Sequence, residues 1–517
     1  MLEIARRSGG FPFLLVIFLL GLYPVLADYF PGLLMGIPYS FERMIEAHVF
    51  RTEGLMGITT KIVAEIVLGF LVFAGVLIAT GAGQFFIDLA NAGFGKYRGG
   101  PAKVSIVASA FFGSLSGSIF SNIAGTGSIT IPTMKKSGYP PHYAGAIEAC
   151  ASTGGVLMPP VMGAIAFVMA ITIGVDYATI MLAAILPSFL FYLGLMLQVD
   201  AYAARKGLVG VKQDKLPSAR EVMKRGWPFL SVMVFLIWGL LWMRWEFYAP
   251  WYASALMIAL SFLQRETMMT PTRIFATLRQ VGILVTQTAA IILPIAFVVR
   301  AMTITGVTGS MTSGLVALGG DNVYLIIALG VLACFIMGMA GLAIVAYIFL
   351  AVTLAPAIIE TGGLNEVAVH FFIIYYAMLS VITPPVGAAA FLAATIAGAK
   401  PMQTSFTAMR LGVVIYFVPL FFLFQPALVM QGDLTPLLYV LPSIIIGIVL
   451  LSGGLEGYLL GVGMVKPWLR LPLAAAGFVF SFPSMTTTLI GGLICAVLVF
   501  IIWKDNQKSA ALPGTRN

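Results

Sequence analysis

Many stretches of this chain are apolar over membrane-spanning length, among them 11–27, 62–80, 283–299, 323–339 and 413–429. A helix crosses the hydrocarbon of a bilayer with about 20 such residues. Repeated runs of this kind restrict the chain to a bundle of membrane helices. A water-facing surface would need more charge: 9% of residues are charged, against about 25% in soluble domains. The alternation expected of membrane β-strands is absent from the sequence. The expected fold class is therefore an all-α polytopic membrane protein.

Charge then suggests orientation. The net charge is +9, but the basic residues lie in short loops rather than on faces interleaved with aromatics. This argues against nucleic acid as a partner and for a cytoplasmic bias. Between Arg205 and Arg225, seven basic residues stand against Asp214 and Glu221. This loop is expected in the cytoplasm, together with Arg6 and Arg7 at one end and Lys504 and Lys508 at the other. With both termini inside, the chain crosses an even number of times, about 14. The mixed-charge segment 28–53 fits the outer face. The run from Phe11 to Ala27 after two arginines resembles a cleavable signal, but it is also long enough for a retained first helix, the favoured reading. Cys150, Cys334 and Cys495 lie in apolar surroundings and read as small buried residues.

Two stretches depart from plain apolar helices, and they match. Gly117 precedes Pro132 by 15 residues, and Gly341 precedes Pro356 by 15. Each proline is followed six residues later by a glycine, Gly138 or Gly362. Pro159-Pro160-Val161 follows after 27 residues, and Pro384-Pro385-Val386 after 28. Paired interruptions of this kind point to a repeat-built transporter with re-entrant hairpins and broken helices. A broken helix exposes backbone groups that lipid cannot satisfy, so breaks persist where protein, ions or water do so. Free carbonyls suit a sodium ion, and half-helix N-termini suit an anion.

The first copy, Gly113 to Ser128, carries seven uncharged oxygen-bearing side chains among its glycines, Asn122 and Thr126 included. The following cluster, Ala151-Ser-Thr-Gly-Gly155, precedes Pro159-Pro160. Single Ser or Thr residues often only glue helices together; their density here suits a polar pocket. The candidate ion site is Ser116, Gly117, Ser118 and Asn122 from the first half, with Gly338, Gly341, Thr383 and Pro384 from the second. The candidate substrate site is Asn122, Thr126, Ser152, Thr153, Pro159 and Pro160. Glu148 and Arg300 are ionisable residues inside apolar runs, which is costly in lipid and so suggests function or structural pairing, without implying that they pair with each other.

The segment from Gly113 to Tyr139, its continuation Ala149 to Pro160, Arg98-Gly-Gly-Pro-Ala-Lys103 and Ile382-Thr-Pro-Pro-Val386 together resemble the large membrane subunit of TRAP (tripartite ATP-independent periplasmic) transporters, closest to the TAXI-type branch. The resemblance runs from about residue 1 to 430. It implies sodium-driven uptake of a small carboxylate across the inner membrane, and an elevator-type domain built from two inverted repeats. It also implies two partners, a periplasmic substrate-binding protein and a small four-helix membrane subunit. No cofactor beyond sodium is implied. The family carries a proline and two threonines where this chain has Leu342, Ala343 and Ile344. The solute is therefore expected to touch mainly the first half.

On this reading residues 1–103 form scaffold helices and, over the amphipathic, basic-ended segment 81–103, a helix along the inner interface; 104–202 form the first repeat, 203–227 the basic loop and 228–320 further scaffold. Residues 321–431 form the second repeat and 432–517 a helical extension. A carrier or channel-like protein that needs no binding protein is the alternative. Nucleotide-driven pumping lacks a phosphate-binding GxxxxGK[ST] loop, and an intramembrane enzyme lacks clustered His and carboxylate ligands.

Overall fold

The computed structural model describes residues 1–51, 54–264, 266–320, 322–339 and 343–511. Among the described residues the regular structure is helical, apart from one antiparallel pairing of two-residue strands, Tyr458–Leu459 and Gly463–Met464. Among the described residues eight helices are long and apolar enough to cross a membrane, and five shorter apolar helices accompany them. Two of the short ones, Glu366–Leu379 and Ala388–Ala397, flank a turn over 380–387 that breaks the helix between them, so length alone does not return a crossing number.

Leu2–Leu26 runs along Pro271–Thr305, which also packs on Leu68–Thr80. Ala249–Ser261 fills the other side of Leu68–Thr80 and is joined by Ala219–Leu241. These helices form one body. The segment expected to be a single interfacial helix from 81 to 103 is instead divided. Ala82–Phe94 is one helix, and Lys103 already belongs to the next, Gly100–Ser116. The divide is a turn ending at Gly99, whose φ of 66° suits glycine. Ala82–Phe94 bridges two bodies through stacked rings: Phe85 on Phe229 and Phe86 on Phe111, each pair at 5.3 Å.

The two matched stretches fold alike. The first runs Gly100–Ser116, Ile119–Gly125, Gly127–Lys136, Pro141–Gly155, then a non-helical turn over 156–163 and Ala164–Thr172. The second runs Val323–Met339, Ala343–Gly362, Glu366–Leu379, a turn over 380–387 and Ala388–Ala397. Both turns contain a cis Pro-Pro bond, 159–160 and 384–385. Their close approaches correspond as well. A Cβ on Gly113 would lie 2.6 Å from Gly155 Cα, and one on Gly338 would lie 2.6 Å from the Ala377 carbonyl and 2.8 Å from Ser380 Oγ. Small residues let these helices touch through their backbones.

The two stretches also pack on each other. Pro141–Gly155 lies against Ala388–Ala397 and Pro401–Leu411. Lys135 donates to the Ala397 carbonyl at 2.7 Å and Gln198 to that of Leu411 at 2.6 Å. Beyond residue 432, Leu437–Glu456 packs on Tyr177–Lys206, and Pro467–Ser481 and Met485–Ala511 follow in sequence.

Candidate functional site

The first hairpin is interrupted at its tip. Gly117 takes φ 59° and closes Gly100–Ser116; Ser118 is extended, and its hydroxyl accepts from the Ser121 amide at 3.3 Å, capping the next helix. This tip meets the turn over 156–163. The Val161 and Met162 amides donate to the Ser114 carbonyl at 3.2 and 3.3 Å, and the Gly163 amide donates to the Val156 carbonyl at 2.8 Å. Hydroxyls from Tyr177–Lys206 satisfy other carbonyls of the turn: Ser188 donates to Leu157 at 2.7 Å and Tyr177 to Pro160 at 3.0 Å. The second turn is held similarly. Ser405 donates to the Ile382 carbonyl at 2.9 Å, and Thr383 hydrogen-bonds Tyr416.

A cavity of about 770 Å³ opens where the tip, the first turn and the scaffold meet. Ser116, Gly117 and Ser118 line it, with Met162 and Gly163 from the turn, Gln287 and Thr288 from Pro271–Thr305, and Ala343 and Ile344 from the second half. The Ser116 hydroxyl is buried and has no hydrogen-bond partner. A Cβ at Gly117 would come within 2.6 Å of the Met162 carbonyl, and one at Gly163 within 3.3 Å of the Gly117 carbonyl. These oxygens therefore cluster at the tip. Arg7 also lines the cavity; with Arg6 it holds the Glu3 carboxyl down at about 2.

The remaining candidates divide. Asn122, Thr126, Ser152 and Thr153 are buried behind the tip rather than lining the cavity. Asn122 donates to the Ser109 carbonyl at 2.8 Å, and Thr153 donates back to the Ala149 carbonyl at 2.8 Å. Pro159 and Pro160 belong to the turn but do not line the cavity. Thr383, beside Pro384, is buried with its hydroxyl donating to the Leu379 carbonyl at 2.7 Å. Gly338 serves the close helix contact. Gly341 lies outside the described residues, as does Leu342.

Glu148 is fully buried, and its partners are hydroxyls, not Arg300. Ser105 and Thr130 donate to Oε2 at 2.6 Å each, and Ser109 to Oε1 at 2.7 Å. Thr126 lies 2.5 Å from Oε1, and Ser152 3.3 Å. Ser105, Ser109 and Thr130 escaped the sequence reading, although a signal existed. Ser105 and Ser109, Thr126 and Thr130, and Glu148 and Ser152 are each four apart, so each pair shares one helix face. The RGGPAK segment has a related role: Arg98 and Lys103 both reach Asp200, Lys103 at 2.6 Å.

A family model described as "Tripartite ATP-independent periplasmic transporter, DctM component" matches residues 1–437. The chain belongs to this family. Among curated relatives, the uncharacterized protein y4mL of Sinorhizobium fredii is 26% identical over 364 residues, 68% of this chain and 85% of that protein. The isethionate TRAP transporter permease protein DctMQ of Oleidesulfovibrio alaskensis is 27% identical over 376 residues, covering 70% of this chain and 56% of that one. The C4-dicarboxylate TRAP transporter large permease protein DctM of Pseudomonas aeruginosa is 34% identical over 173 residues, covering 33% and 38%. This chain is thus a multi-pass membrane transport protein of the TRAP permease type. The family match stops where Leu437–Glu456 begins, so the extension lies outside it.

Proposed function

We propose that this TRAP permease takes up a small carboxylate with sodium, receiving it from a periplasmic binding protein and working beside a small four-helix membrane subunit. The observation that carries this reading is the cavity at the hairpin tip. The buried, unpartnered Ser116 hydroxyl and the nearby Gly117 and Met162 carbonyls make an uncharged oxygen set suited to sodium. Arg7 at the cavity supplies positive charge for an anion. Relatives named for isethionate and C4-dicarboxylate transport support an acidic solute. The Arg98–Lys103 segment supports the TAXI-type branch. The two matched, mutually packed stretches support an elevator-type domain of inverted repeats moving against the scaffold.

In this reading Ser116, Gly117 and Ser118 touch ion or solute. Asn122, Thr126, Ser152 and Thr153 shape the tip from behind, and Gly338, Thr383 and Pro384 contribute backbone and shape from the second half. Ser116→Ala removes a hydroxyl with no partner, so thermal stability should be unchanged. The sodium concentration for half-maximal uptake should rise about tenfold, the worth of one ligand at about 1.4 kcal/mol. Uptake is to be measured in proteoliposomes with the binding protein and small subunit present. Equal sodium dependence in Ser116→Ala and wild type removes the tip from the ion site. Uptake that persists without the binding protein favours an autonomous carrier.

Orientation has its own test. The basic excess in 205–225 supports a cytoplasmic position for that loop. A cysteine at Ser218 should resist an impermeant thiol reagent added to intact cells and react once the membrane is opened. Labelling of intact cells would reverse the topology.

A further inference from the structure

We propose that the solute is a monocarboxylate with an apolar body, and that the cavity selects it against dicarboxylates. The proposal rests on the transport reading, because it names the solute class of the same cavity. What carries it is the side from which each kind of group reaches that cavity.

An apolar lining is common to binding cavities and says little by itself. The placement of the polar groups says more, for they come from two sides. Arg7, Gln287 and Thr288 stand on Leu2–Leu26 and Pro271–Thr305, two helices packed along each other. Ser116, Ser118 and Ser121 stand on the first hairpin. The second half contributes Ala343, Ile344, Met378, Val381 and Leu392. None of these five side chains carries a hydrogen-bond donor. Ala343, Ile344 and Leu392 are partly exposed, so they meet what the cavity holds. The neighbouring sequence offers no replacement: from Met337 to Ala346 there is no hydroxyl, amide or charged side chain.

The charge at the cavity fits one anionic group. Among the described residues Arg7 is the one charged side chain in the lining. Arg6 and Arg7 share the Glu3 carboxylate, at 2.7 and 2.8 Å. Two guanidinium groups against one carboxylate leave a single positive charge. With one carboxylate of a solute held toward Arg7, the far end of its chain faces the second half. A second carboxylate there loses its water and gains no side-chain donor, which is costly. An alkyl or aryl body gains in the same place, because its own hydration is unfavourable. Phe70 and Phe167, packed ring to ring at 4.7 Å, extend the apolar wall. The volume of about 770 Å³ leaves room for such a body.

The test reads binding to the purified full chain in sodium, as thermal stabilisation over a concentration series. Three pairs of equal chain length serve as probes: butyrate and succinate, pentanoate and glutarate, hexanoate and adipate. Each monocarboxylate should bind about tenfold tighter than its partner, or more. Within the monocarboxylates, affinity should rise by up to about fourfold per methylene. Arg7→Gln should weaken hexanoate about tenfold. Ile344→Lys sets a cation into the apolar side and should turn the preference toward adipate. Dicarboxylates that bind wild type as tightly as monocarboxylates would mean that the coupling ion or backbone amides take the second charge. That result overturns the solute class and leaves carboxylate transport standing. Monocarboxylate affinity that ignores chain length overturns the apolar body in the same way. Binding of none of the six removes the carboxylate reading and the proposal with it. If Ile344→Lys fails to fold, the wild-type pairs decide alone.

Discussion

Gly155→Val is expected to abolish uptake and to lower the melting temperature of the purified chain. A Cβ at this position would sit 2.7 Å from Gly113 Cα and 3.0 Å from the Ser109 carbonyl, both backbone atoms. Backbone in a packed helix pair cannot step aside as a side-chain end can, so Gly100–Ser116 and Pro141–Gly155 must separate. Overpacking of this kind costs about 1–3 kcal/mol or more. The separation also strikes the site. The Asn122 amide nitrogen is 3.2 Å from the same point, and it bridges to the Ser109 carbonyl. Forcing the helices apart breaks that bridge and displaces the tip that lines the cavity. Gly93→Ala is the control, because a Cβ there meets nothing within 4 Å; it should melt at or above wild type. Thermal melting of both variants with uptake in proteoliposomes checks the contrast. Wild-type uptake by Gly155→Val would mean that the close helix contact is dispensable.

That contact shows what the sequence revealed and what it withheld. The equal spacings of Gly117, Pro132 and Gly138 and of Gly341, Pro356 and Gly362 announced two similar units, because a broken helix needs glycine and proline at fixed places. The turns at 156–163 and 380–387 stand where the paired prolines put them. Direction was less legible. Asn122, Ser152 and Thr153 are close in sequence to the tip, and proximity alone suggested that they face the solute. A helix turns about 100° per residue, however, and packing turns these three inward, toward backbone carbonyls and Glu148. Glu148 itself stood out as a charge in an apolar run. Its five hydroxyl partners come from three different helices and one connecting residue, Thr126, so no single window of sequence displays them together. The helix expected over 81–103 is divided for a local reason: it stops at Phe94, a turn ending at Gly99 follows, and Arg98 and Lys103 fold onto Asp200, about 100 residues away in sequence.

Glu456→Gln is expected to produce the second large effect, and in a segment beyond the family match. Glu456 ends Leu437–Glu456 and is fully buried. Arg410 of Pro401–Leu411 lies 3.1 Å from one carboxylate oxygen, and Arg205 of Tyr177–Lys206 lies 3.6 Å from the other. Neither contact has the alignment of a hydrogen bond, so attraction between charges holds the cluster. Removing the one acid leaves two arginines facing each other across it. Breaking a buried ion pair costs about 3–5 kcal/mol. Arg410 is 39% exposed and can turn toward water, which places the expected loss near the lower limit, about 3 kcal/mol. The geometry also states what is lost. Arg205 comes from the helix that follows Ala164–Thr172 and Arg410 from the helix that follows Ala388–Ala397, so Glu456 ties the extension to both halves at one point. Phe478 continues that tie by packing on Phe417 and Phe421 at 5.6 and 6.0 Å. Melting curves of Glu456→Gln, Arg410→Met and the double variant check the coupling. The double variant should recover part of the stability that Glu456→Gln loses, because it no longer carries two uncompensated cations. Strictly additive losses would mean that the carboxylate and Arg410 do not hold the extension in place.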